Sequence, residues 1–241
     1  MIKFINTHIG YKDRLLFEVK NLTLNSQNVY ILIGKNGSGK STFLRTIINE
    51  EKLISGQIIL KGENIKGASK KFISQNVSYV PSSFPQAEYL TVLEFIQLGR
   101  VPYTNAFGRL SSSDHSAVSQ AIESLGLQSL ANKFTKEISD GERQLVALAK
   151  AIAQETELII LDEPTAFLDY PNKKLVLDKL KEIAVGMNKC ILLSSHDIDL
   201  SIEANCPFLV LDSNNNSLQE YSPPVEKNFL INAAFKGRVQ N

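Results

Sequence analysis

The sequence has few cysteines, hardly any net charge and no long apolar run. Its 241 residues include two cysteines, and 26 basic side chains are balanced by 25 acidic ones, which leaves a formal net charge of +1. Such a balance gives no electrostatic reason for binding nucleic acid or an anionic membrane. No stretch reaches the ~18 apolar residues of a membrane-spanning helix, and the first residues contain no apolar segment of signal-peptide length. We therefore expect a cytoplasmic chain with no nucleic acid partner, whose membrane contact comes through another protein.

Cys190 and Cys206 show neither a metal-type spacing nor a companion cluster of histidines. They are therefore expected to be free, buried thiols in a reducing compartment. The remaining composition, 43% hydrophobic and 21% charged, is that of an ordinary globular protein. The length allows one large domain or two small ones.

A phosphate-binding loop is the most informative feature of the sequence. The apolar run Val29–Ile33 predicts a buried strand, and a helical segment begins near Lys40. The segment between them, GKNGSGKS, matches G-x-x-x-x-G-K-[ST] at every fixed position. Backbone N–H groups of such a loop bind phosphate oxygens, while Lys40 reaches the β- and γ-phosphates and the Ser41 hydroxyl ligates Mg²⁺. The residues expected to bind the triphosphate are Gly34, Asn36, Gly37, Ser38, Gly39, Lys40, Ser41 and Thr42.

Two carboxylates follow a second apolar strand. The run Leu158–Leu161 predicts a buried strand, and Asp162 and Glu163 come directly after it. The carboxyl ends of parallel strands form the edge at which such sheets bind ligands. Beside a phosphate loop, we expect Asp162 to hold Mg²⁺ and Glu163 to act as general base towards the attacking water. The alternative is a strand that merely ends in solvated acids.

His196 and Tyr11 are two further candidates for the nucleotide site. His196 lies just past the end of an apolar strand over 189–195. Because that strand would end at the same sheet edge as the phosphate loop, we expect His196 to contact the γ-phosphate. Tyr11 precedes a polar turn at 12–14. It either stacks on the adenine base or lies half-buried at a strand end.

Strand and helix patterns alternate near both ends of the chain but not in its middle. Residues 1–28 show strand patterns, whereas 91–154 shows only helical ones. We therefore expect an α/β fold, in which a P-loop NTPase core with an N-terminal antiparallel β region carries an inserted α-helical subdomain. The expected arrangement is one domain over 1–241, with the core at 1–81 and 155–241 and a loop plus the helical subdomain at 82–154.

Capping boxes mark two helix starts in this middle part. Thr91 and Glu94 form the first box, and Ser139 and Glu142 form the second, which opens a helix over 143–154. The second box has two interpretations, since a capped and exposed helix N-terminus can also bind a phosphate group. The sequence alone leaves both open.

Two other segments carry weaker helical patterns. Apolar positions over 113–125 predict a helix that Gly126 stops. The C-terminal segment 229–235 is either a docking helix or a packed tail.

With these motifs assembled, the whole chain resembles the ATP-binding cassette family of transporter subunits. GKNGSGKST matches the Walker A loop, ISDGE the signature, LIILDEP the Walker B strand, FLD the D-loop, and His196 the switch histidine. The resemblance implies an ATPase that uses ATP and Mg²⁺, with Tyr11 against adenine and Asp169 in the D-loop. It also implies a head-to-tail homodimer, in which Ser139, Asp140, Gly141 and Glu142 of one subunit face the Walker A loop of the other.

The resemblance further implies partners at a membrane. These are transmembrane permease subunits and, indirectly, an external substrate-binding protein, with the ATPase peripheral on the inner face of the cell membrane. The segment Gly99–Tyr103 and the run EPTAFLD resemble importers of iron–siderophore, haem or cobalamin. Two alternatives are a soluble ATPase of the same type and a nucleotide-switched regulatory module without turnover. Glu163 argues against the regulatory module, because a protein that only binds the nucleotide needs no general base.

The chain departs from the family pattern at two positions. Ser82 stands where the family has a glutamine that helps to ligate Mg²⁺, so either Ser82 acts through a bridging water or Gln86 reaches into the site. Asp140 replaces the usual glycine. A carboxylate there suits the helix dipole but would repel a γ-phosphate, so we expect Asp140 to face away.

Overall fold

A ten-stranded mixed sheet with helices on both faces forms the body of the protein. The computed structural model describes residues 1–11, 14–84, 87–105, 107–166, 168–212 and 214–235. The strands in these ranges are β1 (Ile2–Tyr11), β2 (Arg14–Leu24), β3 (Asn28–Ile33), β4 (Ser55–Leu60), β5 (Glu63–Asn64), β6 (Val77–Val80), β7 (Leu158–Leu161), β8 (Cys190–Ser195), β9 (Phe208–Asp212) and β10 (Ser217–Tyr221). The α-helices are α1 (Lys40–Ile47), α2 (Lys70–Asn76), α3 (Val92–Gln97), α4 (Ser112–Ser124), α5 (Asp140–Ala153), α6 (Tyr170–Gly186), α7 (Ile198–Glu203) and α8 (Lys227–Ala234).

The strand order explains how distant motifs meet. It runs β5-β4-β1-β2-β10-β9-β3-β8-β7-β6. Strands β9, β3, β8, β7 and β6 are parallel neighbours, whereas β5, β4, β1 and β2 form the antiparallel N-terminal region. The carboxyl ends of β3, β8 and β7 therefore lie side by side, and the loops that follow them form one edge.

Two hydrophobic cores lie on opposite faces of the sheet. Along β3, Ile31 and Ile33 belong to one core, whereas Tyr30 and Leu32 belong to the other. Side chains alternate between faces along a strand, so a parallel strand covered on both sides is apolar throughout. This is why β3 and β7 appear in the sequence as continuous apolar runs.

The helical insert, residues 91–154, contains helices α3, α4 and α5. Within its described residues there is no strand, although Thr91 forms an isolated bridge with Phe134. Both predicted capping boxes are present, at Thr91 and at Ser139. The predicted start of α5 was wrong by three residues: because Ser139 is the N-cap, the helix begins at Asp140.

Several other expectations can be compared with the structure. The helix predicted over 113–125 is α4, and Gly126 follows it at φ 68°. Cys190 and Cys206 are free and buried. The C-terminal segment forms α8, whose Leu230 and Ala234 are fully buried, so it packs on the body of the protein. Among the described residues, no helix combines the length and apolarity needed to cross a bilayer.

Candidate nucleotide site

The phosphate loop joins β3 to α1, as predicted. The backbone of Gly37 has φ 75° and that of Gly39 has φ 103°, which lies in the left-handed region that side chains disfavour. Gly39 is also the N-cap residue of α1. These two glycines thus allow the chain to turn from the end of the strand into the helix within a few residues.

Lys40 and Ser38 show that the loop is built for an oxygen-rich ligand. The Lys40 side chain is 7% exposed, and its ammonium donates to the Gly34 carbonyl at 2.8 Å. Burial lowers the pKa of Lys40, while the Glu163 and Asp162 carboxylates oppose that shift. Ser38 Oγ is buried and has no hydrogen-bond partner among the described residues. Buried polar atoms are normally paired, so a bound triphosphate would supply the missing partner.

Tyr11 lies at the mouth of this loop. A cavity of about 380 Å³ adjoins the loop, and the residues that line it are Tyr11, Arg14, Leu16, Asn36, Gly37, Gly39, Lys40, Ser41, Thr42 and Glu163. The Tyr11 hydroxyl hydrogen-bonds Thr42 Oγ1 at 2.7 Å, and the side chain is 49% exposed. The ring is therefore held beside the loop with one face open, and stacking on adenine stays a prediction.

Asp162 and Glu163 share one hydroxyl group. Ser194 Oγ donates to Asp162 Oδ1 at 2.6 Å and accepts from the Glu163 backbone N–H at 2.8 Å. The Tyr79 hydroxyl donates to Asp162 Oδ2 at 3.4 Å. Glu163 has φ 51°, so the chain turns sharply directly after Asp162. Although the two acids are neighbours in sequence, Asp162 contacts Ser194 and Tyr79, whereas Glu163 lines the cavity at the phosphate loop.

His196 meets Glu163 at the predicted sheet edge. The distance from His196 Nδ1 to Glu163 Oε2 is 3.5 Å. Glu163 also lines the cavity at the phosphate loop. Lys40, Asp162, Glu163 and His196 are thus brought together from three parts of the sequence, as the parallel strand order predicts.

Mg²⁺ fits the oxygen donors at this edge. Asp162 is 5% exposed, whereas Ser41 is exposed at the start of α1. Within the described ranges, no group of three or more His, Cys, Asp or Glu side chains could hold a metal ion. An ion held by one carboxylate and one hydroxyl needs further oxygens, which nucleotide phosphates and water supply in such sites.

The signature segment lies apart from the phosphate loop of its own chain. Ser139 Oγ accepts from the Glu142 N–H, and the Glu142 carboxylate accepts from the Ser139 N–H at 2.8 Å. Asp140 pairs with Arg143 one turn along α5 at 2.7 Å. Of the described residues, none from 139–142 lines the two cavities at the phosphate loop.

The D-loop and Ser82 also lie outside these cavities. Asp169 is the N-cap of α6, since its side chain accepts from the Asn172 N–H at 3.0 Å. Ser82 lines a separate groove of about 360 Å³, together with Asp140 and Arg143 of α5. Gln86, the other candidate for the missing glutamine, lies outside the described residues.

The sequence matches the family described as "ABC transporter" over residues 17–166. The chain belongs to this family. It is an ATP-binding subunit of the ABC transporter type and an ATPase, as the motifs predicted.

The relatives include iron-uptake proteins. An uncharacterised ABC transporter ATP-binding protein of Methanocaldococcus jannaschii is 32% identical over 98% of this chain and 81% of its own length. The iron(3+)-hydroxamate import ATP-binding protein of Bacillus subtilis is 35% identical over 79% of this chain and 71% of its own. A molybdate import ATP-binding protein of Haemophilus influenzae is 31% identical over 84% of this chain and 75% of its own.

Among solved structures, one described as a metal-chelate type ABC transporter in an inward-facing conformation superposes with a TM-score of 0.81. The two sequences are 28% identical, and the aligned region covers 97% of this chain and 88% of the chain in that structure. This ABC fold agrees with the expected P-loop core and helical insert.

Two residues that contact the candidate site were missed in the sequence. Ser194 and Tyr79 both donate to Asp162, yet neither belongs to a motif. The available signal was a hydroxyl group near the carboxyl end of an otherwise apolar strand. That signal becomes specific only once the neighbours of β7 are known.

Proposed function

We propose that this protein is the energy-coupling subunit of an ABC importer, and that iron–siderophore, haem or cobalamin is its cargo. The single observation that carries the ATPase part is the meeting of Lys40, Asp162, Glu163 and His196 at one sheet edge beside an open phosphate loop. The importer part is supported by the iron-hydroxamate relative and by the metal-chelate type structure.

In this proposal the phosphate loop holds the triphosphate of ATP. Backbone N–H groups between Gly34 and Gly39 surround its oxygens, and the Lys40 ammonium exchanges the Gly34 carbonyl for a phosphate oxygen. Ser41 and Asp162 would hold Mg²⁺, which neutralises the charge on the phosphates. Tyr11, fixed by its bond to Thr42, stacks on the adenine.

Glu163 and His196 act at the γ-phosphate end. The Glu163 carboxylate takes a proton from the attacking water as general base. His196, 3.5 Å from Glu163, donates towards the γ-phosphate and limits where that carboxylate can point.

A second copy of the chain completes the site. Ser139 and Gly141 lie at an exposed helix start that belongs to neither phosphate-loop cavity of its own chain. In a head-to-tail pair, this helix tip binds the γ-phosphate held by the other copy, with the Asp169 loop at the seam. Asp140 is then kept from the phosphate by its pairing with Arg143.

Substitution of Glu163 by Gln tests the ATPase assignment. The variant keeps the shape of the site but loses the proton acceptor, so ATP turnover should fall by about two to four orders of magnitude while ATP binding persists. Size-exclusion chromatography with ATP and Mg²⁺ should show this variant as a dimer. Turnover equal to that of the wild type would remove Glu163 from its role.

Transport measurements test the cargo. The ATPase would be reconstituted in vesicles with permease and binding-protein subunits from its own organism. Uptake of an iron–siderophore, haem or cobalamin supports the proposal. Uptake of molybdate alone would instead place the chain with the Haemophilus influenzae relative.

A further inference from the structure

Ser194 lies at the level of Asp162, one residue beyond the last paired position of β7 and β8. The register of these parallel strands ends with Leu161 opposite Leu193. Asp162 and Ser194 are therefore the next residues on adjacent strands. Ser194 is completely buried on β8, and on the side away from β7 it pairs with Leu32 of β3.

The Ser194 hydroxyl donates one hydrogen bond and accepts one, and both partners lie in the turn at Asp162 and Glu163. Its proton goes to Asp162 Oδ1 at 2.6 Å, and one of its lone pairs accepts the Glu163 N–H at 2.8 Å. A serine hydroxyl has one proton to donate, so the direction of both bonds is fixed. The hydroxyl group therefore contacts the Asp162 side chain and the Glu163 backbone at the same time.

We propose that Ser194 is a positioning residue for ATP hydrolysis, because its single hydroxyl group orients the Mg²⁺ carboxylate of Asp162 and the backbone of the general base Glu163 together. This inference rests on the proposed function and deepens it. Groups that orient a metal ligand commonly change metal affinity or activity about 10- to 100-fold when removed. The left-handed backbone of Glu163 gives a second reason, since such a turn persists only where its surroundings hold it.

Tyr79 completes the orientation of Asp162 from the other side. It lies on β6, the strand that flanks β7 opposite β8, and its hydroxyl reaches Asp162 Oδ2 at 3.4 Å. Arg45 of α1 hydrogen-bonds the Tyr79 oxygen, which leaves the Tyr79 proton for Asp162. The longer distance makes this the weaker of the two bonds, so Tyr79→Phe should have a smaller effect than Ser194→Ala.

The chain contains a matched control for the loss of a buried hydroxyl. Ser78 on β6 is 1% exposed, and its Oγ has no hydrogen-bond partner among the described residues. Ser78→Ala therefore removes the same atom from a similar depth without breaking a hydrogen bond. Ser194→Thr keeps the hydroxyl, whereas Ser194→Cys replaces it with a thiol that is slightly larger and only a weak donor.

The test measures metal binding separately from turnover. Mn²⁺ is titrated into each variant with a non-hydrolysable ATP analogue and followed by electron paramagnetic resonance, and kcat is measured with Mg²⁺. Ser194→Ala should raise the Mn²⁺ dissociation constant about 10- to 100-fold and lower kcat. Binding of the ATP analogue in excess chelator should stay within about twofold, since the phosphate loop is untouched.

The control variants decide between positioning and simple packing. Ser194→Thr should bind Mn²⁺ with nearly wild-type affinity, and Ser78→Ala should match the wild type. If Ser194→Ala does not fold, Ser194→Cys is measured in its place. It should bind Mn²⁺ more weakly than Ser194→Thr. Unchanged Mn²⁺ affinity in Ser194→Ala, an equal loss in Ser78→Ala, or a folded Ser194→Thr as weak as Ser194→Ala would each overturn the proposal. A wild type without ATPase activity would contradict the proposed function, while the Mn²⁺ titration would still test Ser194.

Discussion

Two buried polar networks in the described part of the chain are built in opposite ways. In the helical insert, the Arg100 guanidinium, 4% exposed, contacts Asp114 at 2.8 Å, Glu155 at 2.7 Å and the Ala153 carbonyl at 2.6 Å. At the sheet edge, Lys40 has only carbonyl partners, Ser38 has none among the described residues, and Asp162 is held by hydroxyl groups.

The difference separates stability from function. A buried charge with all its partners holds elements together, and its loss leaves other charges unpaired. Buried polar groups without partners cost free energy, and they are retained where a ligand completes them. We infer that the Arg100 network connects α4 to the end of α5 within the helical insert, while the sheet edge is kept ready for a triphosphate.

Among the substitutions that compare these two networks, Lys40→Ala should have the largest effect on function and only a small effect on stability. The variant removes the ammonium that meets the β- and γ-phosphates, so kcat/KM for ATP should fall about 100-fold or more. The fold loses the hydrogen bonds to the Gly34 carbonyl at 2.8 Å and to the Lys35 carbonyl at 3.4 Å. The free energy of unfolding should therefore fall by about 1 to 2 kcal/mol. A variant with a clearly lower free energy of unfolding in urea but unchanged ATPase activity would contradict the functional role of Lys40.

Arg100→Ala should show the reverse. Removing one partner from a buried ion pair typically costs about 3 to 5 kcal/mol, so urea unfolding should show a loss of this size. Lys179 is the control, because it pairs with Glu182 at 2.7 Å on the surface and Lys179→Ala should cost less than about 1 kcal/mol. Equal effects of the two substitutions would mean that burial of the Arg100 network is unimportant.

Acid should weaken the Arg100 network only at low pH, below the range in which ordinary carboxylates are protonated. Hydrogen bonds from Ser111, followed by that from Arg100, lower the pKa of Asp114 from 3.8 to about 2. The folded state thus binds this proton more weakly than the unfolded state. The stabilisation is fully present above pH 3.8 and is lost as the pH falls through about 2. In Asp114→Asn, the free energy of unfolding, measured in urea at several pH values, should depend less on pH in this range than it does in the wild type.

Ser82→Gln should give the smallest effect. Restoring the family's glutamine next to β6 should change the ATPase rate and its Mg²⁺ dependence by less than about tenfold. Gln86→Ala tests the alternative, in which Gln86 takes that place. If neither substitution changes rate or Mg²⁺ dependence, both explanations of the missing glutamine fail.

The features that could be predicted from the sequence are those encoded over a few consecutive residues. The phosphate loop, the acids after β7 and the capping boxes of α3 and α5 depend on short spacings, and all are present in the structure. Helix α6 was not predicted, although Asp169 followed by Pro171 is a helix-start signal. Apolar and polar residues are only weakly separated between the two faces of 170–186, so the helical pattern there is faint.

Contacts between strands could not be predicted in the same way. The bond between Ser194 and Asp162 spans 32 positions and exists only because β8 lies beside β7. The Arg100 network likewise joins residues that are 14, 53 and 55 positions apart. In both networks the residue types were visible, but the strand order and helix packing that bring them together were not.

The proposal that each ATP is bound between two chains is tested most directly by mixing two inactive variants. Lys40→Ala inactivates the phosphate loop, and Ser139→Asp retains a helix cap while placing a negative charge at the signature. In head-to-tail dimers, one site of each mixed pair is intact, so an equal mixture should recover about a quarter of wild-type ATPase activity. The Lys40→Ala, Ser139→Asp double variant mixed with Lys40→Ala should recover none. No recovery in the first mixture, with dimers present, would show that each site belongs to a single chain.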